Sequence, residues 1–339
     1  MQTKSYQFSS AKVNYYFDAD LSQLWKKVDK DHTVIITDEN IFAAFPKKFK
    51  GCDTIVLKAG EDYKVQATAD AIIEQLVDYK ADRKTFLVGV GGGVVTDMTG
   101  YVAAVYMRGL RFGFVPTSVL AMVDAAIGGK NGIDVGVYKN LVGTIRQPDF
   151  LLFDYSFLKS LPEQEWINGF AEIIKHSCIK DAKLFKELEK NTPAFYKKNK
   201  PALAKLIRRN VEIKSAVVQK DEFEKGDRRL LNFGHTLGHA IENMYELSHG
   251  QAISIGMTAA CHISEELAGF KDTERVVNVL DAYGLPTYAD YDKKEAMTVL
   301  KMDKKREKGT MNYVLLERIG KGVVQGIPVS ELENLISEL

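Results

Sequence analysis

Short β-branched apolar runs alternate with helical stretches over the first third of the chain: TVIIT at 33–37, TIVL at 54–57, TFLVGV at 85–90 and FGFVP at 112–116. Between the second and third runs, Ala69, Ile72, Ile73, Leu76 and Val77 recur at helical spacing within 66–80. Strands separated by helices predict a parallel sheet with right-handed crossovers, and such sheets take ligands at the carboxyl ends of their strands. After Pro148 the sequence LLFDYSFLKSLPEQEW predicts a last strand and a linker, and from Trp166 the helical period takes over, with MNYVLLERIG at 311–320 strand-like. The expected organisation is an α/β Rossmann-like parallel-sheet domain at 1–155 followed by an all-α domain at 156–339.

The stretch RRLLNFGHTLGHAIENMYELSHG at 228–250 holds three of the six histidines. As a helix it places Phe233, Leu237, Ile241 and Met244 on an apolar stripe and sets His235, His239 and Glu242 on another face. Gly234 and Gly238 each cost about 1 kcal/mol against alanine inside a helix, which predicts the close approach of a backbone or a ligand there. His235 and His239 at i and i+4, with His249 folding back from a turn, fit a metal site and equally fit capping and core histidines. The sequence HTLGH is not HExxH, so a zinc-protease arrangement is excluded.

The turn GVGGGVVTD at 89–97 runs from a strand into a helix, where open N–H groups and the helix dipole suit a pyrophosphate, although its spacing is neither GxGxxG nor a Walker loop. Asp38, closing TVIIT, fits a cofactor-ribose contact or an exposed turn. The glycine-broken segment 116–140 gathers Thr117, Ser118, Asp124, Lys130, Lys139 and Asn140, a composition that lines anion sites or simply turns. In INGFAEIIKHSCIK, Glu172, Lys175 and His176 sit at i, i+3 and i+4, so at least two can face one cavity or equally form a solvated charged face, with Phe170, Ile173 and Ile174 toward the core. Cys261 and His262 read as core residues.

Among 339 residues, Lys+Arg 46 against Asp+Glu 45 leaves a formal net charge of +1, so no global field recruits nucleic acid or an acidic membrane, and an anionic ligand needs a local cation cluster. The three cysteines, Cys52, Cys178 and Cys261, form no CxxC pair and point to a reduced, cytoplasmic protein. No run of 18 apolar residues and no signal-peptide core is present, so neither export nor a membrane span is expected.

The chain resembles the 3-dehydroquinate synthase family, within the sugar phosphate cyclases. The match is carried by GEDYK at 60–64, GGGVVTD at 91–97, YMRG at 106–109, PTS at 116–118 and VDAAIGGKNGID at 123–134. It continues through KN at 139–140, GFAEIIKHS at 169–177, RRLLNFGHTLGHAIE at 228–242, SHG at 248–250 and DKK at 303–305. The resemblance implies conversion of 3-deoxy-D-arabino-heptulosonate 7-phosphate to 3-dehydroquinate and phosphate by transient NAD oxidation, phosphate elimination, re-reduction and intramolecular aldol closure. This is the lyase step of the shikimate pathway toward chorismate and aromatic amino acids.

It also implies zinc, or cobalt in its place, on Glu172, His235 and His249, with His239 moved from ligand to substrate contact. NAD would lie along Asp38, Asn40, Gly60, Glu61, Lys64, Gly92, Gly93, Asp97, Thr117, Ser118, Lys130 and Lys139, with Phe157 and Ser160 beside the adenosine. Substrate and catalytic roles would fall to Arg108, Asp124, Lys130, Asn140, Lys175, Lys214, Arg228, Asn232, His239 and Lys304 or Lys305. The residue matching Arg108 reaches the other subunit's site in the family, implying a homodimer. Ala126, Asn131, Ile145, Arg146 and Gln251 depart from the family pattern without replacing a matched ligand. Other readings are a different sugar phosphate cyclase, a glycerol-dehydrogenase-like enzyme and a catalytically dead NAD-binding module. The first relatives change the groups matching Asn232 and His239, and the last has no need of an open metal site.

Overall fold

The computed structural model describes residues 1–136, 138–303 and 309–339. The strands are β1 (Gln2–Gln7), β2 (Lys12–Phe17), β3 (Thr33–Asp38), β4 (Asp53–Leu57), β5 (Phe86–Gly91), β6 (Arg111–Pro116), β7 (Lys130–Val135), β8 (Tyr138–Ile145), β9 (Phe150–Leu152), β10 (Thr310–Arg318) and β11 (Lys321–Pro328). The helices are α1 (Glu39–Ala44), α2 (Gln66–Asp78), α3 (Gly93–Val105), α4 (Glu163–Lys180), α5 (Ala182–Leu188), α6 (Pro193–Lys198), α7 (Lys200–Lys220), α8 (His235–Met244), α9 (His249–Ala268), α10 (Thr273–Ala282), α11 (Lys293–Asp303) and α12 (Val329–Glu338).

Two compact units result, one of Met1–Trp166 with Ala204–Glu222 and one of Ile167–Leu203 with Phe223–Leu339. The expected 155/156 division falls inside the first unit, and most of α7 returns to that unit after the chain has begun the second. The reason is polar as well as apolar. Along α7, Arg208 pairs with Asp18, Glu212 accepts from Lys4 at 2.7 Å, and Gln219 donates to the carbonyl of Gln7 at 2.9 Å. Just past its end, the buried carboxylate of Glu222 accepts from Ser9, from Ser10 and, at 2.8 Å, from Gln147.

The first unit is built on a seven-stranded sheet in the order β1-β2-β9-β6-β5-β3-β4, antiparallel only between β1 and β2. β3 and β5 are buried over nearly their whole length, as central parallel strands covered on both faces must be. Ile35, Val88, Val90, Val115 and Leu152 anchor the core. The chain runs from β3 outward to β4 and then returns to the other side of β3 as β5, so the strand order reverses between β3 and β5. The later part of the glycine-broken segment 116–140 is not a loop but belongs to the hairpin β7–β8.

The second unit is helical with one antiparallel hairpin, β10–β11, formed by the strand-like MNYVLLERIG and its partner. Phe170, Ile173 and Ile174 of α4 are fully buried, as are Leu237 and Ile241 of α8. Among the described residues, no helix is long and apolar enough to cross a membrane.

Candidate metal centre and dinucleotide site

Gly234, at φ +78°, breaks the 228–250 stretch, so a 3-10 turn at Asp227–Asn232 precedes α8 and a second helix, α9, begins at His249. Ser248 and Gln251 form a capping box at the start of α9, the Oε1 of Gln251 accepting from the Ser248 N–H at 2.9 Å. Glutamine serves here as glutamate would, which accounts for that departure from the family pattern. The glycines admit a backbone. A Cβ on Gly238 would stand 3.0 Å from the Ala252 carbonyl oxygen, and one on Gly256 would fall inside the Gly234 carbonyl oxygen. α8 and α9 therefore touch main chain to main chain, and this brings His249 over the face that carries His235.

Glu172 arrives from α4. Its Oε1 lies 3.0 Å from Nε2 of His249 and 3.4 Å from Nε2 of His235, and its Oε2 pairs with the Lys175 ammonium. Two imidazole nitrogens and a carboxylate oxygen around one tetrahedral zinc would be separated by about 3.3 Å, given bonds of roughly 2.0–2.2 Å, so this donor set fits such an ion. The outer nitrogen of His235 is oriented too, Nδ1 donating to the Phe233 carbonyl at 3.1 Å.

Burial alone would raise the Glu172 carboxyl, but the Lys175 ammonium, His235 and hydrogen bonds from both imidazoles hold it well below the usual range. Burial opposes charge on His249, yet hydrogen bonds to Glu172 and Glu242 outweigh it and push its pKa up to about 10. A metal arriving at Nε2 would displace that proton. Burial, reinforced by His235 and His249, brings His239 down to about 3, so its ring is neutral throughout the physiological range. The Nδ1 of His249 faces Oε2 of Glu242 at 3.5 Å. Sequence reasoning put Glu242 on this face without giving it a role, and it missed Glu224, which accepts from the Asn232 amide at 2.8 Å. It also missed Asn168, whose Oδ1 accepts from the Ser248 hydroxyl at 2.7 Å. Arg228 is buried in the same unit. Lys304 and Lys305 lie outside the described residues.

In the first unit, the reversal of strand order puts the ends of β3 and β5 side by side, the place where open α/β sheets bind ligands. Asp38 closes β3 and caps α1, its Oδ1 accepting from the Ile41 N–H at 3.0 Å, while Asn40 is exposed on the first turn. Gly92 precedes α3 and Gly93 opens it, giving the strand-glycine-helix turn that the sequence predicts. Gly91 admits no side chain, because a Cβ would enter Val95. Thr117 and Ser118 follow β6, Thr117 donating its N–H to the Gly91 carbonyl at 2.9 Å.

Lys64 pairs with Asp97 at 2.7 Å, donates to Asn140 Oδ1 at 2.6 Å, and has Glu61 beside it. Burial works against the Lys64 charge, but Asp97 and Glu61 hold it firmly protonated. Gly60 (φ +117°) and Asn140 (φ +51°) adopt left-handed backbone at the edges of this cluster, and Lys139 pairs with Asp134 at 3.2 Å. Lys214 of α7 pairs with Asp124 at 2.8 Å and donates to its carbonyl at 2.6 Å; Asp124 sits in a π-turn, Ala121–Ala125, a distortion common at functional sites. Arg108 and Lys130 are exposed, Arg108 with φ +66°.

Phe157 is fully buried, its ring edge-on to Phe45, and Ser160 donates back to the Phe157 carbonyl at 3.2 Å. One expectation is corrected. His262 is exposed and pairs with Glu265 at 3.1 Å, whereas Cys261 beside it is buried as expected. Two departures from the family pattern prove linked. The Asn131 amide donates to the carbonyls of Gly129 (2.8 Å) and Arg146 (3.0 Å), and the Arg146 guanidinium donates to the Ala103 carbonyl at 2.9 Å.

Residues 54–168 match the family description "3-dehydroquinate synthase N-terminal" and residues 169–306 match "3-dehydroquinate synthase C-terminal". Among similar proteins, the 3-dehydroquinate synthase of Methylacidiphilum infernorum is 44% identical over 293 residues, 84% of this chain and 80% of that one. The 3-dehydroquinate synthase of Pyrococcus abyssi is 40% identical over 289 residues, 84% of this chain and 85% of that one. Solved structures share the fold. A 2-deoxy-scyllo-inosose synthase complexed with carbaglucose-6-phosphate, NAD+ and Co2+ aligns with TM-score 0.86 at 24% identity, covering 99% of this chain and 100% of that one. A 2-epi-5-epi-valiolone synthase from Streptomyces hygroscopicus with NAD+ and Zn2+ bound aligns with TM-score 0.86 at 24% identity, covering 100% and 99%.

Proposed function

The chain belongs to the 3-dehydroquinate synthase family, and from that membership we propose that it converts 3-deoxy-D-arabino-heptulosonate 7-phosphate to 3-dehydroquinate and phosphate, using NAD and a divalent ion, zinc or cobalt. The observation that carries this reading is the convergence of Glu172, His235 and His249, with Lys175 against the same carboxylate, in a chain that matches the family over both its halves. The bound ion would polarise a substrate hydroxyl, and NAD would accept its hydride and return it.

The chain's own groups do the rest. The Gly92–Gly93 turn and the N-terminus of α3 offer N–H donors and a positive dipole end to the pyrophosphate of NAD. Asp38 and Asn40, at the end of β3, are placed for the cofactor ribose. Glu61, Lys64, Asp97 and Lys139 form the charged network on which the nicotinamide side is proposed to rest. In the first unit Lys130, Asn140, Asp124 and Lys214 are proposed substrate groups. In the second, Lys175 and Arg228 supply cations, Asn232 a hydrogen-bonding amide, and His239, neutral by burial, an imidazole able to donate or accept a hydrogen bond.

Purified protein supplied with the heptulosonate phosphate, NAD and zinc is expected to release inorganic phosphate in step with dehydroquinate, without net NADH. EDTA is expected to stop both. Phosphate release that persists in metal-free protein would refute the reading.

Arg108, exposed and on left-handed backbone, is proposed to serve the partner subunit's site in a homodimer. Sedimentation at assay concentration is then expected to give one species of twice 37.9 kDa; a monomer with full activity would exclude that arrangement. The proposed location is the cytoplasm, in keeping with free Cys52, Cys178 and Cys261.

A further inference from the structure

The two ring nitrogens of His249 face two different carboxylates, Nε2 at 3.0 Å from Glu172 Oε1 and Nδ1 at 3.5 Å from Glu242 Oε2. The Glu242 side chain is only 14% exposed. Ligand-type atoms of His239, Glu242 and His249 all lie within 4.8 Å of one another. A second ion on that trio would require His249 to bind at both nitrogens and so to lose its last N–H. With Nε2 given to the Glu172 and His235 set, the ring instead keeps its proton on Nδ1, and that proton needs an acceptor. Glu242 is the carboxylate that faces it.

Resting on the metal reading above, we propose that Glu242 is a positioning residue of the centre. It accepts from Nδ1–H of His249, fixes the tautomer that leaves Nε2 free for the ion, and holds His239 in register with the centre through the same carboxylate. The two histidine ligands are thus oriented by different means, His235 by a main-chain carbonyl within its own segment and His249 by a side chain on the neighbouring helix. Because Glu242 belongs to α8 and His249 to α9, the contact also ties together the two elements that must agree on where the ion sits.

Zinc affinity of EDTA-stripped protein, measured by competition with a chromophoric chelator, tests this. Glu242→Gln keeps an acceptor oxygen and is expected to stay within about threefold of the parent. Glu242→Ala is expected to bind about 10–100-fold more weakly, the usual cost of losing an outer partner of a ligating histidine. The visible spectrum of the cobalt-loaded protein should change for Glu242→Ala and not for Glu242→Gln. A purely structural role would lower the melting temperature of the metal-free protein and leave affinity and spectrum alone. Should Glu242→Ala not fold, 15N spectra of the zinc-loaded parent labelled at histidine decide: His249 must carry its proton on Nδ1, and a proton on Nε2 overturns the proposal. Equal affinity of parent and Glu242→Ala overturns it as well, while a parent that takes up no zinc overturns the metal reading itself.

Discussion

His235→Ala is expected to purify without stoichiometric zinc and to lose at least about 10³-fold in kcat/KM, since electrophilic stabilisation by an ion contributes several kcal/mol and each 1.36 kcal/mol is tenfold. This variant is the informative one because it removes a neutral ligand and leaves the buried charges balanced. Glu172 keeps Lys175 and His249 as partners. Changing Glu172 itself would remove the carboxylate paired with the buried Lys175 ammonium and confuse lost metal with lost stability. Elemental analysis beside the phosphate-release assay separates the two quantities. A variant that retains one zinc per chain and parental turnover would remove His235 from the centre.

Gly256→Ala is expected to be nearly as damaging without touching a ligand. The added methyl would enter the Gly234 carbonyl and stand 2.9 Å from the Gly238 nitrogen, and neither obstacle is the movable end of a side chain. Overpacking of this kind costs about 3 kcal/mol or more where main chain must shift. Separating α8 from α9 would also draw His249 away from His235, so zinc is expected to be lost along with stability. Gly326→Ala on β11, where a Cβ meets nothing within 4 Å, is the matched control and should stay within about 0.5 kcal/mol. Thermal melts of both variants with and without zinc measure the difference; a Gly256→Ala protein that melts with the parent and binds zinc equally would contradict the close-approach argument.

The parallel sheet was legible because strands buried on both faces read as unbroken apolar runs, and β3 to β6 begin within a residue or so of the predicted positions. β1 escaped notice because an edge strand of sequence QTKSYQ buries only Tyr6 and so carries no hydrophobic period. The β7–β8 hairpin escaped because its glycines and charged residues imitate a loop, although Gly132 and Gly143 are there to let the two strands meet. At the centre, spacing alone indicated that histidines cluster, but it nominated His239 through the i+4 rule and grouped Glu172 only with Lys175 and His176, with no hint that it joins histidines from a stretch much later in the chain. Only the family resemblance pointed there. The return of α7 to the first unit could not be seen from its amphipathic period, because a helix packs one stripe in the same way whichever unit receives it.

That return bears on how the protein is made. Chains emerge from the ribosome at roughly 5–20 residues per second, and units tend to fold as they appear. Here the opening unit is still missing its partners for Lys4, Ser9, Ser10 and Asp18 until Glu222 has emerged. The nascent first unit must therefore wait without its last helix while the first helices of the other unit are already being synthesised, and any factor that shields newborn chains has that interval in which to act.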